Sequence, residues 1–132
     1  MKYAISQIRK FVKPYHFEYD IDFAKLESIR QDVIRFNTCN VKGTLEEPRQ
    51  EHYVVTLQIV ADLVMECAVS LEEVPYHLEF TQKVIFGYEE DDDYLIQGET
   101  LDIDQAVRTE IILNLPFRVI KEGYEDLFEK DE

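Results

Sequence analysis

Three histidines, two cysteines and one run of acids are the groups in this 132-residue chain best equipped for chemistry. His16, His52 and His77 can each serve as a base, but a base needs a nucleophile brought to it. No nucleophile elbow and no zincin helix surrounds any of them. His77 falls on the polar side of an alternating run, where an ordinary exposed histidine is the simpler reading. A structural zinc site takes four soft ligands, and Cys39 and Cys67 stand alone and far apart in sequence. Glu89, Glu90, Asp91, Asp92 and Asp93 are five consecutive acids that invite Ca²⁺ or Mg²⁺, yet they lack EF-hand spacing. Consecutive acids rarely converge on one ion, so the run reads as a solvated loop, and a metal-dependent hydrolase or nuclease is an outlying reading. With glycines only at 43, 87, 98 and 123, no phosphate-cradling loop exists. The expectation is a protein that is not an enzyme, with no metal, no cofactor and no small-molecule substrate.

Charge says more than motifs do. Asp and Glu number 28 against 14 Lys and Arg, a net charge of −14. Such a balance excludes a protein that simply coats nucleic acid or an anionic membrane. The distribution is uneven: residues 1–50 carry nine bases and seven acids, whereas residues 51–132 carry five bases and 21 acids. Lys2, Arg9, Lys10 and Lys13 all precede the first acid, Glu18. An acidic body with a basic edge can meet two partners of opposite sign. Tyr15, Phe17 and Tyr19 follow the basic segment; alternation there offers stacking faces to RNA, though a core-packed strand is the commoner outcome. The two cysteines fit a reducing cytosol. No apolar run of signal-peptide length follows Met1, and the most apolar stretch, 53–67, is interrupted by Gln58 and Asp62. A cytoplasmic protein with no membrane contact is expected.

These groups need elements to position them. Phe23, Leu26, Ile29, Val33 and Phe36 recur at steps of three and four, which predicts a helix over 21–36 with Asp20 or Asp22 at its start. Residues 37–45 read as a short strand and 46–50 as a polar turn. Tyr53, Val55, Leu57, Ile59, Ala61, Leu63, Met65 and Cys67 alternate strictly with more polar neighbours, which demands a half-buried strand. At ~3.3 Å per residue that strand reaches about 50 Å, so a bend near Ala61 or a bulge is expected. A turn over 70–73 leads to Tyr76, Leu78, Phe80, Val84 and Phe86, which share one parity and complete an antiparallel hairpin. A second helix should run from Asp102 to about Leu115, capped by Asp102 with Gln105 and stopped by Pro116. The fold class is α+β: an antiparallel, strongly bent sheet or partial barrel with two main helices, in one domain over 1–120, followed by an acidic tail over 121–132.

Three stretches together resemble the bacterial YceD family of large ribosomal RNA subunit accumulation proteins. They are VKGTL (41–45), ADLVMECAVSLEEVPYHLEF (61–80) and, most specifically, LDIDQAVRTEIILNLP (101–116), spread over about residues 37–120. Many members of that family carry Cys-x-x-Cys at the hairpin turn, which suggests a metal site. This chain has Cys67 but Ser70 at the second position and no cysteine after Pro116, so metal binding does not carry over. The resemblance implies a role in accumulation or processing of large-subunit ribosomal RNA without an established catalytic activity. Charge then frames two mechanisms. In one, Glu89, Glu90, Asp91, Asp92 and Asp93 attract a basic ribosomal protein or a pre-ribosomal particle. In the other, Lys2, Arg9, Lys10 and Lys13 contact ribosomal RNA directly, aided by Arg30 and Arg35.

Overall fold

A computed structural model describes residues 1–120. In chain order the elements are β1 (Lys2–Ala4), α1 (Ile5–Ile8), β2 (Tyr15–Asp20), a 3₁₀ turn (Phe23–Leu26), β3 (Val33–Arg49), β4 (His52–Glu66), β5 (Glu73–Gly87), β6 (Tyr94–Leu95), β7 (Thr100–Asp102) and α2 (Ile103–Asn114). The acidic tail expected over 121–132 lies outside the described residues.

The main sheet has five strands in the order β2-β3-β4-β5-β6, and β1 pairs with β7 in a separate two-stranded sheet. The α+β class is as expected; among the described residues the α-helices are the short α1 and α2, and the sheet is not closed. All pairs are antiparallel except β5 with β6, which meet in parallel at Phe86 and Gly87.

The alternating run over 53–67 forms the central strand. Tyr53, Val55, Leu57, Ile59, Ala61 and Met65 are fully buried, with Leu63 nearly so, because one face of β4 lies against the core. Its ladder with β5 runs from Tyr53↔Phe86 to Glu66↔Glu73 with no register shift, so that pairing holds no bulge at Ala61. The irregularities sit on the neighbouring strand, where the β3–β4 register slips between Val33 and Arg35, between Phe36 and Thr38, and between Glu46 and Arg49.

Those slips overturn the helix expected over 21–36. Only Phe23–Leu26 turns helically, capped by the Asp22 side chain accepting from the Ala24 amide at 3.0 Å. Ser28 then takes a positive φ of 55°, and β3 begins at Val33. Each bulge inserts one residue into a strand, turning an inward step of two into a step of three. Val33, Phe36 and Cys39 therefore face inward three residues apart, and two bulges imitate the spacing of a helix. The polar turn expected over 46–50 is likewise mostly strand, with the reversal at Gln50 and Glu51.

The signature helix forms almost as read. Asp102 caps α2 by accepting from the Gln105 amide at 3.1 Å, and Leu115 leaves helical geometry immediately before Pro116. Ile103, Ala106, Val107 and Ile111 are fully buried and join the core formed by β3, β4 and β5.

Candidate functional site

Three of the four cations of the predicted RNA edge lie beside an acid of their own chain. Lys2 Nζ lies 3.8 Å from Asp102, Arg9 3.8 Å from Glu51, and Lys13 3.5 Å from Glu47. Lys13 also donates to the Ile8 carbonyl at 3.0 Å. Among the described residues only Lys10 of the four has no acid within ion-pair distance. Arg30 grips Asp32 with two guanidinium nitrogens and donates to the Pro116 carbonyl at 2.8 Å. Its hydrogen bonds hold the Asp32 carboxyl below the usual range. Arg35 pairs with Glu73 at 2.9 Å. The aromatics of β2 turn toward the core: Phe17 is buried, Tyr15 stacks on Phe11 at 4.0 Å between ring centres, and Tyr19 donates to Asp104 at 2.8 Å. No stacking platform for bases is left on that strand.

The five-acid run is not uniformly solvated, which corrects the reading of 89–93 as a free loop. Asp92 has a side chain only 6% exposed; it accepts from the Glu89 amide at 3.1 Å and occupies the space a side chain at Gly87 would need. Asp93 accepts from the Ile85 amide at 2.8 Å and so caps the edge of β5. Glu89 lies 3.6 Å from Arg49. Glu90 and Asp91 are exposed and, among the described residues, have no cation partner. Local folding therefore takes two of the five acids for structure and leaves the middle of the run open to a partner.

The outer face of the sheet is polar and follows from the pairing register. One row sets His16 beside Thr44, Thr56 and Lys83; the next sets Glu18 beside Lys42, Gln58 and Thr81. Apart from Lys83, these rows line a shallow open depression of about 500 Å³. His16 Nδ1 lies 3.1 Å from the Thr44 hydroxyl, and among the described residues no carboxylate orients that ring. Catalytic pairs rely on such an orienting group.

Further along the same face His77 stands between two carboxylates, with Nδ1 2.7 Å from Asp62 and Nε2 3.2 Å from Glu79. Hydrogen bonding to Asp62, then to Glu79, raises the imidazole pKa above its ordinary value, and the same bond lowers that of Asp62. The ring is exposed, so this is a charge cluster on the surface. By sign, a raised histidine favours the fold below the unfolded-state value of about 6.5 and loses that contribution as pH rises through the folded-state value. The His77 ring should titrate by NMR with a midpoint above that reference, and Asp62→Asn should bring the midpoint down. A midpoint unmoved by Asp62→Asn would show that the contact is not formed in solution.

At the hairpin tip Cys67 is buried, and its sulfur accepts from the Ser70 amide at 3.4 Å. Val119 bridges to Cys67 in parallel, and its carbonyl accepts from the Ala68 amide at 2.8 Å. The segment after Pro116 therefore returns to the turn, and among the described residues no cluster of His, Cys, Asp or Glu is arranged to hold a metal. Cys39 is also buried, and burial pushes its thiol up to about 12, which makes it unreactive.

The polar residues of α2 tie surrounding segments to one another. Asp104 receives Tyr19 from β2. Arg108 donates to the carbonyls of Lys25, Glu27 and Ser28 at 3.0, 3.1 and 3.3 Å, fastening the 3₁₀ turn. Glu110 accepts from the Tyr94 hydroxyl at 2.8 Å. Glu110 was not singled out from sequence although it is only 7% exposed. A signal existed: it falls three residues after Val107 and four after Ala106, on the apolar stripe.

Among the described residues no helix is long and apolar enough to cross a membrane. No solved structure matches the chain significantly. A curated Bacillus subtilis (strain 168) protein, named Uncharacterized protein YlbN, is 25% identical over 134 residues, covering 96% of this chain and 77% of that protein. A family model described as Large ribosomal RNA subunit accumulation protein YceD matches residues 55–131. That range takes in the central hairpin and the α2 motif but begins after VKGTL at 41–45. With more than half of its length matched, including the helix whose polar side chains bind the fold together, the chain belongs to the YceD family.

Proposed function

We propose that this chain is a cytoplasmic accessory factor that supports accumulation of large-subunit ribosomal RNA by holding a basic ribosomal protein during assembly, without catalysing a reaction. The observation that carries this reading is the internal pairing of Lys2, Arg9 and Lys13, set against Glu90 and Asp91, which are exposed and, among the described residues, unpaired, on a chain of net charge −14. A cation beside an acid of its own chain is partly neutralised toward a phosphate, whereas surplus carboxylates steer a lysine-rich partner toward them. The inward-turned aromatics of β2 favour a protein partner over single-stranded RNA in the same way.

Mass spectrometry of what co-purifies from cells, with and without nuclease treatment, tests this reading. Retention of a large-subunit ribosomal protein after nuclease, weakened by raised salt and by Glu90→Gln with Asp91→Asn, is the expected result. Loss of every ribosomal component on nuclease treatment would establish direct RNA contact and would point to Lys10 and its neighbours instead.

A further inference from the structure

Beside α2, the strand β5 has one edge that the fold leaves open. β6 pairs with it only at Phe86 and Gly87, so among the described residues no strand covers that edge over Glu73–Ile85. The direction of its main-chain groups is fixed by two bonds: the Ile85 amide donates outward to Asp93, and the Gly87 carbonyl accepts from the Ile96 amide at 2.8 Å. Antiparallel pairing alternates inward and outward groups, and the β4–β5 ladder has no slip. Glu79, Thr81 and Lys83 must therefore also present their N–H and C=O groups outward. Pro75 shares that parity and has no N–H to offer, while Asp93 blocks the other end. Both ends are closed, and among the described residues a window of a few residues is left unpaired.

A pocket of about 250 Å³ opens where that window meets α2, lined by Gln82, Val84, Asp93, Glu110 and Leu113 together with Lys83. Glu110 is 7% exposed, and among the described residues no Lys, Arg or His pairs with it. A carboxylate buried without a cation is costly, and Tyr94 supplies it with a hydrogen bond but no charge. Leu113, by contrast, is 71% exposed at the same mouth. An apolar wall leading to a buried carboxylate suits the long stem and cationic head of a lysine or arginine.

We propose that an extended segment of a basic protein adds to the sheet along Glu79–Lys83 and places a lysine or arginine in the pocket at Glu110. The proposal rests on the basic-protein reading above and adds where and how such a partner docks. Strand addition satisfies the outward N–H and C=O groups, and the inserted cation supplies the charge that Glu110 lacks. A nucleic acid offers neither a complementary backbone ladder nor a positive head.

The full chain, ¹⁵N-labelled, is titrated with a synthetic peptide alternating lysine and valine, and separately with its glutamate-for-lysine counterpart. Amide shifts and slowed hydrogen exchange at Glu79, Thr81 and Lys83 are expected with the lysine peptide alone. Glu110→Gln keeps the acceptor for Tyr94, so it should melt like the wild type yet bind about tenfold more weakly, the size of one lost charge-assisted bond. Thr81→Pro removes an outward N–H without breaking the β4–β5 ladder and should abolish the shifts while the remaining spectrum stays folded. Shifts confined to the 89–91 loop would overturn the edge assignment while the basic-protein reading stands. Absence of lysine-peptide binding anywhere on the chain would overturn both, and equal binding of the glutamate peptide would show that charge has no part in it.

Discussion

Gly43→Val is expected to lower stability by about 2 kcal/mol, a collision at the upper end of the range for overfilling a packed site less the gain in strand preference. Gly43 pairs directly with Phe17 across β2 and β3. A Cβ at position 43 would stand 2.1 Å from Phe17 Cζ and 2.5 Å from both Cε atoms. The Phe17 ring therefore occupies the space that a side chain would take, an aromatic laid over a strand glycine. It has little room to yield, because the rings of Tyr3, Tyr15 and Tyr19 lie with centres 5.9, 6.4 and 6.3 Å away. Two effects compete. Strand preference favours valine over glycine by at most about 1 kcal/mol, whereas the collision costs about three times as much. Chemical denaturation checks the sign directly, since a stabilised Gly43→Val would mean that the ring does not cover the glycine. Combining Gly43→Val with Phe17→Ala should cost clearly less than the two changes separately, because the smaller residue vacates the contested space.

This pair also shows where sequence reading reaches and where it stops. The alternation over 53–67 and 76–86 is regular, since an unslipped ladder keeps every inward residue on one parity, and the hairpin could be drawn from it. The 101–116 motif was equally legible because cap, apolar stripe and proline stop are all local signals. Gly43 could be marked only as a strand glycine, for nothing near it in sequence says that Phe17 lies across the sheet. The 21–36 segment departs from its helical spacing for a different reason. Bulges belong to a strand and its partner together, and from one strand alone their steps of three imitate helical periodicity. The candidate surfaces divide along the same line. The acidity of 89–93 was plain, but Asp92 turning under Gly87 and Asp93 capping Ile85 depend on the end of β5. The basic character of Lys2, Arg9 and Lys13 was equally plain, yet their partners Asp102, Glu51 and Glu47 are supplied by distant turns and strand ends.

Ile111→Ala should cost about 3 kcal/mol, within the usual range for emptying a buried isoleucine site. Ile111 is fully buried, and its carbonyl accepts from the Leu115 amide at 2.9 Å, so it sits where the helix closes against the core. Two residues on, Leu113 projects outward, and Leu113→Ala should leave stability within about 0.5 kcal/mol of the wild type. The contrast bears on function as well as on folding. If α2 matters in cells only as a clasp, holding Tyr19, Tyr94 and the 3₁₀ turn, then loss of ribosomal RNA accumulation should follow the loss of stability. Ile111→Ala would then impair accumulation, and Glu110→Gln and Leu113→Ala would not. If the helix also forms one wall of a docking edge, Glu110→Gln and Leu113→Ala should impair accumulation while their melting curves stay unchanged. Measuring thermal unfolding and ribosomal RNA accumulation on the same three variants separates the clasp from the wall. Accumulation that tracks melting temperature across all three would remove α2 from the binding surface.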